Sequence, residues 1–190
     1  DKQLELMLSK IEVKDKSILV MGAATEPIAE ELQKRSGQKV QLIMGDFDSF
    51  INATLILEGN ENIEVRMMEF ESTDFEDSQF DLIYAQGSVS GENRKAILKE
   101  MKRILKDDGR LCIGEIVLLK EDPPPFVLDI LETSALQPLI SKKVNEFYVS
   151  KNLTVMDEKN ISETLQEYYS MNEQKLFSIK KDLSEKEKSY

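Results

Sequence analysis

Residues 75–84 read FEDSQFDLIY, and residues 96–119 read AILKEMKRILKDDGRLCIGEIVLL. The first stretch ends in a short apolar run, which predicts a buried strand at residues 80–84. In the second stretch apolar side chains recur at helical spacing until Asp107-Asp108-Gly109, which is expected to end the helix. The apolar residues at 111–119 then predict another strand. Together the two stretches predict a strand, a helix and a strand in succession.

The same alternation of apolar runs and helical periodicity extends towards the N-terminus. Further strands are expected at residues 17–21, 40–44 and 63–68, with helices between them. Strands that are apolar on both faces and alternate with helices are typical of parallel sheets. The sequence therefore predicts an α/β fold with a mostly parallel, doubly wound sheet covered by helices on both faces.

The 190 residues are expected to form a single domain. Residues 1–16 are predicted to hold an N-terminal helix, and residues 120–150 a largely helical insertion or lid without a partner strand. Beyond the lid, a strand is expected at 153–156 and a helix at 161–183. Residues 182–190 form a highly charged tail that is expected to fray.

Composition excludes several classes of function. The 25 basic and 36 acidic residues give a net charge of −11, which argues against a nucleic-acid or anionic-membrane partner. The chain has no histidine and a single cysteine, so Ser-His and Cys-His catalytic pairs, disulfide frameworks and thiolate metal sites are excluded, and no metal is predicted. No signal peptide is apparent, and no apolar run approaches the roughly 20 residues of a membrane span, so a cytoplasmic location is expected.

Residues that follow the strands carry the functional information. In an open α/β sheet, ligands bind beyond the carboxyl ends of the strands. In this sequence the residues at those positions are 22–26, 45–48, 69–70, 84–90 and Glu115.

At these positions, and over about residues 17–117, the sequence resembles the class I S-adenosylmethionine-dependent methyltransferases. Residues 75–84 resemble the fourth strand of that family. Leu105-Lys106-Asp107-Asp108-Gly109 resembles the LKPGG sequence that ends the following helix. The resemblance implies a Rossmann-like methyltransferase fold with S-adenosylmethionine as cofactor. It also implies transfer of the methyl group to a small-molecule acceptor.

The resemblance implies a cofactor site formed by Gly22, Ala23, Ala24, Asp46, Glu69, Phe70 and Gln86. Asp46 matches the acid that accepts both ribose hydroxyls, with Asp48 as the alternative, and Glu69 lies where the family often has an acid near the adenine amino group. Tyr84 and Glu115 lie beside the transferring methyl and are the candidate catalytic residues. Tyr84 could act as a base only with a lowered pKa, and the alternative is a buried ring with a wet hydroxyl.

The cofactor loop departs from the family's pattern. Val20 replaces the acid of the first strand, while Ala24 and Glu26 stand at the second and third glycines of GxGxG, so only Gly22 is kept. Glu26 is expected to intrude on the methionine end of the cofactor and to repel its carboxylate. A second hypothesis is therefore a catalytically inactive methyltransferase-like domain that binds a protein partner or a second copy. A third is a doubly wound domain with an unidentified ligand.

Overall fold

The computed structural model describes residues 1–182, and for the last helix it describes only part of the side chains. The chain divides into two compact units, of which the first ends at Leu153 and the second begins at Thr154. The predicted charged tail lies outside the described residues after Asp182. No helix in residues 1–182 is both long enough and apolar enough to cross a membrane.

Helices and strands alternate through the first unit. The helices are α1 (Lys2–Leu8), α2 (Glu26–Ser36), α3 (Phe47–Ile56), α4 (Arg94–Ile104), α5 (Pro125–Thr133) and α6 (Val144–Ser150). The strands are β1 (Ile18–Met21), β2 (Val40–Met44), β3 (Ile63–Met67), β4 (Phe80–Gln86), β5 (Leu105–Gly114), β6 (Val117–Leu118) and β7 (Leu139–Ile140). A 3-10 helix, Ser141–Lys143, leads into α6, and the second unit contains α7 (Glu163–Asp182).

Within the described residues the main sheet has the strand order β3-β2-β1-β4-β5, and every neighbouring pair is parallel. Ile18 of β1 lies opposite Val40 on one side and Leu82 on the other. Because right-handed crossovers run outward in both directions from β1, α2 and α3 cover one face and α4 the other. This confirms the predicted doubly wound fold and places the topological switch point between β1 and β4.

The core has two layers that follow the alternation of the strands. One face of the sheet packs beneath α1, α2 and α3, through buried residues that include Leu4, Val20, Leu32, Leu42, Ala53 and Tyr84. The strand residues whose side chains point to the other face are also buried, on the side of α4. They are Leu19, Met21, Ile43, Ile83 and Ala85. The helices on both faces of the sheet are thus packed against a layer of buried strand residues.

The fifth strand differs from its prediction. It begins at Leu105, directly after α4, and ends at Gly114 instead of continuing to residue 119. Residues between Leu105 and Arg110 bulge from the ladder, since these two residues pair with Phe80 and Leu82 respectively. Asp107-Asp108-Gly109 therefore lies in a bulge within β5 and does not end α4.

The insertion contains the predicted helical segments and one strand that was not predicted. Residues 120–150 contain two separate helices, because the chain turns at Ala135, which has a φ of 51°. The insertion has a partner strand after all, since β7 pairs in parallel with β6. The strand predicted at 153–156 is wrong: the backbone there is irregular and leaves the first unit after Leu153.

Candidate functional site

The end of β1 lies in very close contact with the end of β4. Gly22 has a φ of 120°, and a β-carbon built on it would lie 2.3 Å from the carbonyl oxygen of Gln86 and 2.9 Å from Ser88 Oγ. Ser88 Oγ also donates a hydrogen bond of 3.0 Å to the carbonyl of Met21. The hydroxyl of the buried Thr25 donates to the carbonyl of Gly22 at 2.6 Å. The loop after β1 is therefore fixed from both sides.

Ala24, at the second glycine position, adopts the backbone conformation of a glycine. Its φ is 57°, in the left-handed region where a β-carbon costs about 1–2 kcal/mol. Ala23 and Ala24 are both exposed, so no core packing is gained in return. The loop therefore holds a non-glycine residue in a conformation that glycine adopts more readily.

Glu26, at the third glycine position, is a buried residue. It lies in the first turn of α2 with only 5% of its surface exposed. Among the described residues its carboxylate has no hydrogen bond or ion pair, and the partial positive charge of the helix N-terminus is the favourable group nearby. The side chain therefore packs largely against the protein. Its intrusion on the methionine end of the cofactor stays a prediction.

Asp46 lies after β2, where it caps a helix. It is the N-cap of α3, and its Oδ1 accepts a 2.9 Å hydrogen bond from the backbone N–H of Ser49. The hydrogen bonds from Ser49 hold the pKa of Asp46 below its ordinary value. The carboxylate is exposed, and its Oδ2 accepts no hydrogen bond within the described residues. The alternative, Asp48, lies in the first turn of α3 and is also exposed.

Glu69 and Phe70 follow β3 beside the same edge. Glu69 is exposed, whereas the ring of Phe70 covers Gly45, whose β-carbon would lie 3.2 Å from two ring carbons. Thr73, four residues after Glu69, connects this loop to α4. Its backbone N–H and its hydroxyl both donate hydrogen bonds to Glu100 of α4. Arg103 also donates to Glu100, and this contact, with those of Thr73, lowers the pKa of Glu100 to about 2.

Tyr84 is a core residue and does not reach the site. Its side chain is fully buried, and its hydroxyl donates a 3.2 Å hydrogen bond to Asp1 Oδ1. Burial raises the pKa of this hydroxyl far above its ordinary value, which is the opposite of what a general base requires. Of the alternative given for Tyr84, the buried ring matches the structure, but the hydroxyl bonds to Asp1 instead of to solvent.

Glu115 is held in a buried cluster with Arg94 and Tyr148. Its Oε2 lies 3.3 Å from Arg94 Nη2, and its Oε1 accepts a 2.6 Å hydrogen bond from the Tyr148 hydroxyl. Both charged side chains are less than one-tenth exposed. Burial raises the pKa of Glu115, while Tyr148 and Arg94 act to lower it. Glu115, predicted as a catalytic candidate, therefore has a hydrogen bond at Oε1 and the Arg94 cation beside Oε2, which accepts no hydrogen bond within the described residues.

This cluster fastens the insertion over the carboxyl ends of the strands. Arg94 also donates a 2.8 Å hydrogen bond to the carbonyl of Gln137. The backbone N–H of Gln137 in turn donates to the carbonyl of Ser90, and Ser90 Oγ accepts from the N–H of Ile116. Sequence reasoning missed Arg94, although a basic residue in the first turn of a helix is disfavoured by the helix dipole and was a usable signal.

The residues at this edge fit the S-adenosylmethionine expected from the sequence. The loop at Ala23 and Ala24 is uncovered, and Asp46 and Glu69 expose carboxylates at the ends of neighbouring strands. Glu26 adds a negative charge beside the loop, which suits a ligand that carries an ammonium and a sulfonium. Gln86 is exposed at the end of β4. These groups lie around the switch point of the sheet.

Comparison with known proteins supports this interpretation. The sequence matches a methyltransferase domain family over residues 19–113, half of the chain. Comparison with curated proteins finds no match.

Solved structures with the same fold include three methyltransferases. A proposed sarcosine dimethylglycine methyltransferase from Galdieria sulphuraria is 18% identical, with a TM-score of 0.80 over 98% of this chain and 73% of that one. Phospholethanolamine N-methyltransferase 2 from Haemonchus contortus, in complex with phosphomonomethylethanolamine and S-adenosylhomocysteine, is 11% identical, with a TM-score of 0.83 over 95% and 44%. Geranyl diphosphate C-methyltransferase from Streptomyces coelicolor A3(2), with Mg²⁺, geranyl diphosphate and S-adenosylhomocysteine, is 14% identical, with a TM-score of 0.65 over 78% and 57%.

These likenesses show the fold, and the sequence match shows the family. S-adenosylmethionine is the cofactor of that family, as the sequence predicted. The chain belongs to the methyltransferase domain family.

Proposed function

We propose that this protein transfers the methyl group of S-adenosylmethionine to a small-molecule acceptor at the carboxyl edge of the sheet. The observation that carries the proposal is the left-handed backbone of Ala24. Four other described non-glycine residues share this conformation, so what distinguishes Ala24 is its place in the loop at the switch point of the sheet, where a strained backbone is typical of functional sites. Gly22 supports the same inference, because only glycine tolerates its contact with Gln86.

Each part of the cofactor is assigned to a different group of residues. We assign the methionine end to the backbone of Gly22, Ala23 and Ala24. The free oxygen of Asp46 is assigned to the ribose hydroxyls, and Glu69 with Phe70 to the adenine. Glu26 is assigned to the ammonium group, because it stands two residues after Ala24 and its carboxylate has no hydrogen bond or ion pair among the described residues.

The insertion is proposed to cover the acceptor. Its anchor points, Ser90, Arg94 and Glu115, all lie at the carboxyl ends of β4 and β5 or just beyond them. The helix α5 buries none of its side chains, and large apolar side chains are exposed on this segment at Leu119, Phe126, Leu128 and Ile130. An acceptor with an apolar body suits such a covering segment.

Catalysis is proposed to rest on orientation. When bound, S-adenosylmethionine supplies an electrophilic methyl group on a positively charged sulfur. The protein then has to hold the acceptor's nucleophile in line with that group and exclude water, which accounts for large accelerations without an acid or base. The hydrogen bond that Tyr84 donates to Asp1 agrees with this, as do the Tyr148 hydroxyl and the Arg94 cation beside Glu115.

The direct test is an assay with S-adenosylmethionine labelled in its methyl group. The protein is incubated in parallel with the low-molecular-weight filtrate and with the macromolecular retentate of a cell extract, and label is followed in small organic products and in macromolecules. We expect label in a small product, and Gly22→Ala should abolish it. Label only in protein or nucleic acid, or none in either fraction, would overturn the small-molecule assignment.

A second candidate function is an inactive domain that has kept the fold for binding a partner. It is favoured by Glu26, which stands at a glycine position of the loop. The two candidates differ in what Glu26 does. If the site has decayed, replacing Ala24 and Glu26 together by glycine should raise the affinity for S-adenosylmethionine. If Glu26 holds the ammonium, that double variant should bind more weakly than Ala24→Gly alone.

A further inference from the structure

The helix α3 exposes a row of large apolar side chains. Phe47, Ile51 and Leu55 follow one another at intervals of four residues, so they lie on one face of the helix. Their exposed fractions are 62%, 39% and 65%. We call these residues the α3 stripe; it runs about 12 Å along the helix.

The fold does not require the α3 stripe. The inner face of α3 packs on the core through Phe50, Ala53 and the adjoining Leu57. The crossover helices that precede and follow α3 in the chain place charged residues on the surface, such as Arg35 in α2 and Lys99 in α4. An outer face of phenylalanine, isoleucine and leucine is therefore a feature of α3 alone among these crossover helices, and exposed apolar rows of this kind mark interaction surfaces.

The surroundings of the α3 stripe are acidic. Asp48 and Glu58 are exposed at its two ends, and α3 contains no basic residue. The chain as a whole carries a net charge of −11. A partner that covers the stripe must therefore supply positive charge beside its own apolar groups.

We propose that the α3 stripe binds an amphipathic helix of a protein partner, with apolar residues on one face and lysine or arginine on both sides of them. Helices of this type lay their apolar face along an apolar row at the same four-residue spacing. A second copy of this chain fits less well, because a two-fold contact would bring the acidic ends of the stripe against each other. The inference does not use the proposed methyl transfer: Phe47 directly follows Asp46, but Ile51 and Leu55, which the test replaces, lie one and two turns further along α3.

The test uses the full chain and a synthetic helical peptide with leucines along one face and lysines on both flanks. Binding is measured by titration calorimetry for the unaltered protein and for Ile51→Ser/Leu55→Ser. We expect binding by the unaltered protein and at least about a tenfold loss in the double variant. The matched control is Ile56→Ser, because Ile56 is 64% exposed on the same helix but about 100° around its axis from Leu55. This control should bind as the unaltered protein does.

Several results would overturn the proposal. One is no binding of the lysine peptide, and another is equal binding of the same peptide with glutamate in place of lysine. Sedimentation that shows a dimer broken by Ile51→Ser/Leu55→Ser would assign the stripe to a second copy instead. Binding to vesicles of neutral phosphatidylcholine that depends on the stripe would assign it to a lipid surface. Thermal unfolding of each variant establishes that it is folded.

Discussion

The carbonyl oxygen of Gln86 lies 2.3 Å from the position that a β-carbon on Gly22 would occupy. This contact joins the ends of β1 and β4 at the point where the order of the sheet reverses. Ligands of open α/β sheets bind at that point. The close approach is therefore a structural requirement of the site as well as of the fold.

Gly22→Ala should destabilise the protein and abolish cofactor binding. The new β-carbon meets a backbone carbonyl, which cannot move aside as a side chain does, and a φ of 120° is unfavourable for alanine. We expect the free energy of unfolding to fall by about 2–4 kcal/mol, measured by urea denaturation. The control is Gly87→Ala, where φ is 70° but no atom lies within 4 Å of the new carbon. That variant should lose only about 1 kcal/mol, and equal losses in both would show that the contact with Gln86 is unimportant.

Ala24→Gly should stabilise the protein. Glycine removes the strain of a left-handed alanine, and part of that gain is offset by the greater freedom of glycine in the unfolded chain. We expect a net increase of about 0.5–1 kcal/mol in the free energy of unfolding. Ala23→Gly is the matched control, since its backbone is not left-handed, and it should lose about that amount. A loss of stability in Ala24→Gly would contradict the assignment of strain.

Stability should fall as the solution is acidified from about pH 5 to pH 2, and Glu100 should account for part of the fall. Its folded pKa of about 2 is below its ordinary value of 4.5, so the unfolded chain binds protons first as the pH drops. The contribution, up to about 3 kcal/mol, is present above pH 4.5 and is lost as the pH falls towards 2. Urea denaturation across this range should show a shallower pH dependence for Glu100→Gln. An unchanged pH dependence would mean that the contacts with Arg103 and Thr73 do not form in solution.

Breaking the buried pair of Arg94 and Glu115 should be far more harmful than replacing it. Arg94→Met leaves the carboxylate of Glu115 buried without its cation, and we expect a loss of about 3–5 kcal/mol. Arg94→Met/Glu115→Leu removes both charges and should recover much of that loss. The free energies of unfolding of the single and double variants give the coupling between the two residues, which should exceed about 1 kcal/mol. Additive losses would show that the pair does not interact.

Local patterns in the sequence predicted most of the fold. The bounds of β2 agree with the prediction, and β1, β3 and β4 begin or end within two residues of it. The start of β5 could not be predicted from the sequence. The strand follows α4 without an intervening turn, and Asp107-Asp108-Gly109 resembles the end of a helix. Helix caps and bulges use the same small and acidic residues, so composition does not separate them.

The candidate site was predicted only in part. The loop positions followed from their place after the strands, but the helix cap at Asp46 was not predicted, since a carboxylate serves a cap and a ribose equally well. The link between Arg94, Glu115 and Tyr148 joins residues that are far apart in sequence. Such a contact depends on how the insertion packs, which no local periodicity records.

The affinity for S-adenosylhomocysteine of the unaltered protein and of Glu26→Gln tests the central claim most directly. This product keeps the ammonium of the cofactor and lacks the sulfonium, so the comparison isolates the role assigned to Glu26. Titration calorimetry should show micromolar binding by the unaltered protein and a loss of about tenfold or more in Glu26→Gln. No binding by the unaltered protein, or tighter binding by Glu26→Gln, would contradict the account and leave a methyltransferase fold without a working cofactor site.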